Sequence, residues 1–393
     1  MKKIVSIILC SLYLSCYCQT SWTLSNTGFP SNYNANETTT SPNGDIYLVS
    51  SLNNNGHYIP KLFKSVDNGD HWTEIMTVGL PDTLNPYTII YTGNKLLIAG
   101  SGANKFYIYA SLNNGLNWSP SNTGLNPSYS PNDFTQAPNG DIFLAASQNT
   151  NSTFIPKVLK SINNGSSWTE ITTSGLTNTL IPNTICYVNN KLLLSGTAPG
   201  AYYVYASIDN GLTWYSSNTG IPPAYGLVDI TVVSGQEIYG VCAKLSGGIF
   251  NSKVIKSTDA GINWTEISPL VGLNNLLVAY SILYSNNNLI LTGSDNITPL
   301  NYIFKSSIGS VLSLTDRQFE KNKSLSFYPN PTNGLLKIFS DLGESATILD
   351  VLGNTICILK LNPNENSIDL SNLSNGIYFL KTESGEKIKV VKQ

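Results

Sequence analysis

Three acidic residues recur at one step of a repeated pattern in this 393-residue chain. Glu37, Asp133 and Asp229 each lie eight residues before an acidic residue of a short turn. Such a set of carboxylates could bind a cation, hydrogen-bond sugar hydroxyls, or supply a general acid and a general base. A residue type that recurs at one register usually serves the repeat itself, and a catalytic pair needs two differing environments. We therefore predict a structural role, assign no catalytic residue, and keep these three as candidates.

Aromatic residues form a second set of candidates. The ligand-binding set that we predict is Tyr58, Tyr87, Tyr129, Tyr203, Tyr225, Tyr280 and Tyr302. Phe106, Tyr202 and Phe250 belong to the same predicted loops. Exposed rings among Asn, Ser and Gly suit the faces and hydroxyl edges of sugars, or a protein partner. The alternative is that several of these rings simply pack the loops.

Composition argues against several other kinds of site. The two histidines, His57 and His71, are too few for a histidine-based metal or nucleophile site. Beyond the first eighteen residues the cysteines are Cys186, Cys242 and Cys357, whose spacing fits neither a disulfide framework nor a metal site. We predict no metal and no cofactor. A net charge of −2 with 12% charged residues makes nucleic acid and anionic membranes poor partners.

A repeated turn must position these residues. Five octapeptides of the pattern Ser-x-Asp/Asn-x-Gly-x-x-Trp end at Trp72, Trp118, Trp168, Trp214 and Trp264, and Ser21-Trp22 keeps the last two residues. In this pattern the Ser and Asp or Asn side chains accept bonds from the turn, Gly supplies a positive φ, and Trp buries its ring. We assign a structural role to all six tryptophans and to Asp67, Asp209 and Asp259.

A second marker recurs in step with the first and indicates four strands per repeat. Short hairpins such as 43–49 and 139–144 each join a turn to a β-branched and aromatic run. The segment at Trp22 matches the flank of the even repeats, so it should supply the missing strand of the sixth repeat. The expected architecture is all-β, a six-bladed propeller closed by its N-terminal strand. If the acidic step begins each innermost strand, it surrounds one mouth of the channel with Glu37, Tyr87, Asp133, Asn183, Asp229 and Tyr280.

The repeated turn resembles the Asp-box of sialidases, related glycoside hydrolases and sortilin-like receptors over residues 21 to about 311. The resemblance implies that each box joins the third and fourth strands of a blade, on the face away from the ligand. Asn113 and Asn163 depart from the pattern at the Asp position. Sialidases bind a carboxylate through three arginines, whereas this chain has one, Arg317, outside the propeller. Sialidase chemistry is therefore excluded.

The N-terminus has the features of an export signal. Lys2 and Lys3 precede an apolar stretch over 4–14, and Cys16 and Cys18 resemble small residues of a cleavage site. The stretch is too short to span a bilayer, which needs about 20 residues. We predict a signal peptide over 1–18, with a lipid anchor on Cys16 as the alternative.

The C-terminal segment differs from the repeats. After the propeller (19–311) we predict a charged linker (312–323) and a small Ig-like β-sandwich (324–393). The sandwich resembles the C-terminal sorting domain of type IX secretion cargo. The matching motifs are Tyr328-Pro-Asn-Pro331, 350–353, 373–378, and the basic terminus at Lys389 and Lys392. The resemblance implies the type IX secretion machinery as a partner, and release or attachment at the cell surface.

The sequence therefore predicts an exported, monomeric propeller that acts as a binding or adhesion module for a glycan or an extracellular protein. The alternative is a glycoside hydrolase acting on a neutral polysaccharide. A carboxylate pair in a deep cleft, drawn from the candidates above or from Asp82 and Asp295, would favour the hydrolase. A shallow aromatic face would favour binding.

Overall fold

The computed structural model describes residues 21–307 and 326–393, and these form parts of two compact units, 1–311 and 312–393. Short gaps interrupt the description at 55–56, 103–104, 152, 247–248, 268–271, 274–276, 299, 341–342, 352 and 383–386. The predicted signal peptide and linker lie outside the described residues.

The described part of the first unit consists of six four-stranded antiparallel sheets. The strands of the first and second sheets are β2 (Tyr33–Thr40), β3 (Ile46–Asn54), β4 (His57–Ser65), β5 (Thr73–Ile75), β6 (Asn85–Thr92), β7 (Lys95–Gly102), β8 (Lys105–Ser111) and β9 (Ser119–Pro120). The third and fourth sheets contain β10 (Tyr129–Gln136), β11 (Ile142–Thr150), β12 (Thr153–Ser161), β13 (Thr169–Ile171), β14 (Ile181–Val188), β15 (Lys191–Ala198), β16 (Ala201–Ser207) and β17 (Tyr215–Ser216). The fifth contains β18 (Gly226–Val232), β19 (Ile238–Ser246), β20 (Ile249–Ser257) and β21 (Thr265–Glu266), and the sixth contains β22 (Leu277–Ser285), β23 (Asn288–Asp295), β24 (Asn301–Ser307) and β1 (Thr23–Leu24).

The N-terminal strand β1 pairs with β24, at Thr23 with Lys305 and Leu24 with Phe304. The first strand of each sheet contacts the first strand of the next sheet, in the order β2, β6, β10, β14, β18 and β22. The last of them, β22, contacts β2. The predicted propeller fold is confirmed.

The second strand of each sheet is buried over most of its length, for example Ile46–Ser51 in β3. Neighbouring sheets cover both of its faces, which explains why these strands are continuously apolar rather than alternating. The cluster around Trp72, for instance, includes Ile290 and Ile303 of the sixth sheet. The core therefore lies between adjacent sheets.

The octapeptide turns connect the third strand to the short fourth strand of five sheets. In the turn at 207–214 the Ser207 hydroxyl accepts the Gly211 N–H at 2.9 Å, and the Asp209 carboxylate accepts the Thr213 N–H at 2.9 Å. Asn113 and Asn163 accept the equivalent N–H groups, so an amide oxygen serves as well as a carboxylate. All six tryptophans are buried, with exposed fractions of 3–6%.

A glycine after each short outer strand locks one sheet to the next. Gly124 has φ +80°, and a Cβ placed there would lie 2.0 Å from the Trp168 carbonyl oxygen. The same approach recurs around the ring, with Gly28 on Trp72, Gly79 on Trp118, Gly175 on Trp214, Gly220 on Trp264 and Gly272 on Trp22. Only glycine fits because both the conformation and the contact exclude a side chain.

The second unit contains two sheets. One is formed by β25 (Ser326–Tyr328), β26 (Leu335–Ser340) and β29 (Asn364–Asp369), and the other by β28 (Thr355–Leu361), β27 (Glu344–Leu349), β30 (Gly376–Thr382) and β31 (Lys387–Lys392). Leu336 and Ile338 of the first sheet share a core with Ile348, Leu380 and Val390 of the second, as expected for a sandwich.

In the segment that contains the predicted motif 350–353, β27 ends at Leu349. Asp350 starts a turn instead, because its carboxylate accepts the Asn354 N–H at 2.8 Å. Within the predicted sorting motif, Asn330 uses both ends of its amide on the terminal strand. It donates to the Lys389 carbonyl at 2.9 Å and accepts the Val391 N–H at 2.8 Å.

In neither described unit is there a helix long and apolar enough to cross a bilayer.

Candidate functional site

A β-bulge in each first strand shapes the channel of the propeller. The bulges lie beside the acidic step, between Ala35 and Glu37, Pro131 and Asp133, and Leu227 and Asp229 in the odd-numbered sheets. The expectation that this step begins the strand is corrected, because Glu37 is the fifth residue of β2. A bulge changes the direction of the side chain next to it.

The three predicted carboxylates meet. Single carboxylate oxygens of Glu37, Asp133 and Asp229 all lie within 4.8 Å of one another. Asp133 and Asp229 are buried, with exposed fractions of 5% and 8%, and Glu37 is partly exposed. We call these three residues the carboxyl cluster.

Two members of the carboxyl cluster also join neighbouring sheets. Asp133 accepts the Thr184 hydroxyl at 2.6 Å and the Ile185 N–H at 2.8 Å, both from the fourth sheet. Asp229 accepts the Ile282 N–H of the sixth sheet at 2.7 Å. These bonds connect Asp133 and Asp229 to the neighbouring sheets.

Glu37 is held differently. Its carboxyl group interacts with the Thr88 hydroxyl and with the Asp133 carboxyl group. Glu37 is also partly exposed, whereas Asp133 and Asp229 are buried. Glu37 is therefore the cluster member best placed to meet a ligand.

Burial and mutual repulsion favour the protonated forms of the cluster. Burial, followed by the charges of Asp133 and Asp229, raises the pKa of Glu37 well above its ordinary value. Burial and the charge of Asp133 raise the pKa of Asp229 to about 7. Burial also raises the pKa of Asp133, although the bonds from Thr184 and Ile185 oppose the shift. The site can hold protons near neutrality.

A cavity of about 550 Å³ opens above the carboxyl cluster. Besides the cluster it is lined by Asn36, Tyr87, Asn132, Asn183, Thr197, Tyr202, Gly226, Val228, Ala243, Leu245, Phe250 and Tyr280. None of these described lining residues is Lys, Arg or His. Thr197, Leu245 and Phe250 lie where second and third strands meet, so the cavity opens at that edge of the sheets. The octapeptide turns lie at the other end of the third strands.

Two of the seven predicted tyrosines, Tyr87 and Tyr280, line this cavity. Their hydroxyl groups pair with Ser101 at 2.6 Å and Ser294 at 2.5 Å, which fixes both rings. Asn183 occupies the equivalent step, and its amide donates to the Leu227 carbonyl at 3.0 Å. The predicted ring of six residues at the mouth is thus brought together.

The other five predicted tyrosines do not line the cavity. Tyr129 is buried and its hydroxyl donates to Glu170 at 2.6 Å. Tyr225 lies beneath the Lys253 ammonium group, 4.9 Å from its ring centroid. The remaining three contact residues of their own sheets, Tyr203 stacking on Tyr205, Tyr302 lying beside Phe304, and Tyr58 pairing with Asn53. The rings of four of them thus contact other residues of the propeller, as in the alternative given above, namely Tyr129, Tyr203, Tyr225 and Tyr302.

Asp82 and Asp295, the further candidates for a catalytic pair, are also absent from the described lining. Asp295 instead accepts the backbone N–H groups of Ile297 and Thr298 in its own loop.

Sequence reasoning missed Asn36 and Asn132. Each directly precedes an acid of the cluster, so the repeated pair Asn-Glu or Asn-Asp was a usable signal. Asn36 donates to the Pro86 carbonyl at 2.6 Å. The side-chain oxygen of Asn132 is buried and accepts no hydrogen bond from a described residue.

Solved structures with the same fold include carbohydrate-active enzymes. A Hadza microbial sialidase is 14% identical with a TM-score of 0.54, and the match covers 70% of this chain and 65% of that chain. A Trypanosoma rangeli sialidase in complex with the inhibitor DANA is 12% identical with a TM-score of 0.52, covering 96% of this chain and 84% of that chain. A Penicillium chrysogenum α-L-arabinanase complexed with arabinobiose is 16% identical with a TM-score of 0.50, covering 73% and 96%. At these identities the likeness shows the propeller fold alone.

Residues 326–393 match the secretion system C-terminal sorting domain. No curated protein matches the chain. The chain is thus a β-propeller joined to a type IX sorting domain, which indicates export followed by secretion or attachment at the cell surface.

Proposed function

We propose that the propeller is an extracellular glycan-binding module whose ligand enters the cavity above the carboxyl cluster. The observation that carries this proposal is the composition of the cavity wall. Four aromatic side chains, Tyr87, Tyr202, Phe250 and Tyr280, surround amide and carboxyl groups in about 550 Å³. Volumes of about 300–1,000 Å³ are usual for small-ligand sites.

The rings and the polar groups have complementary tasks. Aromatic faces can stack on the apolar faces of sugar rings, and fixed amides orient the hydroxyl groups. Tyr87 and Tyr280 are held by their serine partners before any ligand arrives. Such preorganisation lowers the entropy cost of binding.

Hydrolysis is the second candidate, favoured by the pKa of about 7 for Asp229 in the cavity. Two observations weigh against it. Single oxygens of the three carboxyl groups lie within 4.8 Å of one another, which leaves little room between them for the water that an inverting pair holds across about 6.5–9.5 Å. In addition, Asp133 and Asp229 accept backbone N–H groups of the next sheet. Binding without cleavage fits this arrangement better.

The test is a glycan array with the full secreted chain, followed by calorimetry on the best ligand. We expect Tyr87→Ala and Tyr280→Ala each to weaken binding by about tenfold or more, since stacking on a fixed ring is lost. Tyr58→Ala, a matched change outside the cavity, should bind as the unmodified chain does.

Two results would redirect the proposal. Release of reducing ends from a polysaccharide panel, lost in Asp133→Asn, would establish the hydrolase. Absence of binding across the array would point to a protein partner.

A further inference from the structure

We infer that the glycan taken by this cavity carries a free amino group, so that an ammonium ion enters between the carboxyl cluster and the aromatic side chains. This inference rests on the proposed glycan-binding function and names the class of ligand. The recognised group is a cationic amino sugar rather than a neutral or N-acetylated one.

The first support is the balance of charge around the cavity. Three carboxyl groups lie within 4.8 Å of one another, and no described lining residue carries a positive charge. Other repeated acids of the propeller pair with lysines, as in Lys61–Glu74 at 2.6 Å and Lys64–Asp45 at 2.6 Å, and those of the octapeptide turns accept bonds within the turn, as Asp209 does from Thr213. The cluster therefore differs from the lysine-paired acids in lacking a protein cation, and a ligand cation would complement it.

The second support is an acceptor in the cavity wall that has no donor among the described residues. The buried oxygen of Asn132 accepts nothing from the described residues, although a buried acceptor normally has a partner. The side-chain amide nitrogens of Asn36 and Asn183 donate to backbone carbonyl groups, so these nitrogens are already engaged within the protein. The Tyr87 and Tyr280 hydroxyls are already paired with serines. An ammonium group, with three donors and no acceptor, satisfies such a wall.

The third support is the aromatic rim. Cations bind favourably over the faces of Tyr and Phe, and the protein uses this contact elsewhere, with Lys253 4.9 Å from the Tyr225 ring centroid. Tyr87, Tyr202, Phe250 and Tyr280 offer such rings beside the carboxyl cluster. The cavity, of about 550 Å³ and lined by several aromatic rings and amides, is larger than the side chain of a lysine requires. Its size therefore favours a sugar as the ligand.

The experiment compares two trisaccharides that differ only in N-acetylation. The full secreted chain is titrated calorimetrically with the trimer of glucosamine and with the trimer of N-acetylglucosamine, at neutral pH and with EDTA present. We expect the free amine to bind about tenfold more tightly or better. EDTA prevents divalent metal ions from occupying the carboxyl cluster.

Glu37→Gln is the informative variant, because it prevents this carboxyl group from ionising beside a bound ammonium group while keeping the shape of the side chain. It should reduce the affinity for the glucosamine trimer by about tenfold and reduce that for the acetylated trimer much less. The matched control is Glu74→Gln, which lies in the Lys61 ion pair away from the described cavity lining.

Equal affinities for the two trimers, or binding only of acetylated or neutral glycans, would overturn the inference and leave glycan binding intact. Binding of a trilysine peptide without binding of the glucosamine trimer would overturn it in favour of a peptide ligand. No binding of any glycan would instead contradict the proposed function itself.

Discussion

Carboxylates recur on two faces of this propeller and meet opposite surroundings. In the octapeptide turns, the side-chain and backbone groups of Thr213 and the Ser207 hydroxyl donate to Asp209 and lower its pKa to about 2. In the channel, burial and the charge of Asp133 raise the pKa of Asp229 to about 7. The same chemical group is thus stabilised as an anion on one face and as an acid on the other.

The difference follows from the position of each residue in the ring. The octapeptide turns follow the third strands, and in two of them Asn113 or Asn163 replaces Asp without loss of the hydrogen bond. Residues of the first strands converge on the axis. This convergence therefore brings acidic residues that recur along the chain into one group of carboxyl side chains.

The largest expected change in stability comes from a substitution in an octapeptide turn. Trp168→Ala should lower the free energy of unfolding by about 3–5 kcal/mol, because the ring is buried and packs between sheets. Tyr280→Ala, at a cavity residue that is 37% exposed, should cost less than about 1 kcal/mol. Urea denaturation measures both. Equal losses would contradict the division between a stabilising face and a binding face.

A smaller change in the free energy of unfolding, an increase rather than a decrease, is expected for a substitution in the channel. The raised pKa of Glu37 gives a stability contribution that is fully present below its ordinary value of 4.5 and is lost as pH rises through the raised value. Glu37→Gln removes this dependence. We expect it to raise the free energy of unfolding at mildly alkaline pH and to have little effect below pH 4.5.

Thermal unfolding at both pH values checks this prediction, with Glu74→Gln as the control. A destabilised Glu37→Gln variant at alkaline pH would show that the charge of Glu37 is compensated in the channel.

Periodicity made much of the fold predictable. The tryptophan turns fix one element of each repeat, and the matching flank of Trp22 predicted the pairing seen between β1 and β24. The acidic step also predicted that Glu37, Asp133 and Asp229 would meet, because residues at one register of a ring share one depth. These inferences depend only on residue types and spacing.

Contacts between positions without a shared register were not predictable. The hydroxyl of Tyr129 donates to Glu170, forty-one residues away, and the spacing of these two residues does not predict the contact. The bulges that set the direction of the acidic side chains also leave no local signal. The spacing of the repeated turns predicted the position of each residue within its repeat. Tertiary packing decided which aromatic rings face the cavity.

The smallest expected change in stability comes from a substitution in an octapeptide turn. Asp209→Asn should leave the turn intact, because Asn113 and Asn163 already accept the same backbone N–H in their own turns. It removes a carboxylate whose lowered pKa contributes stability above its ordinary value of 3.8, and that contribution is lost as pH falls through about 2. The melting temperature should therefore fall slightly at neutral pH, by less than Glu37→Gln changes it, and the difference should shrink on acidification. Asn113→Asp, the reverse change in another turn, should shift the melting temperature the other way. If the decrease in melting temperature of Asp209→Asn grew on acidification, the pKa of Asp209 would be raised rather than lowered. The carboxyl groups of the turns would then resemble those of the channel, and the comparison would fail.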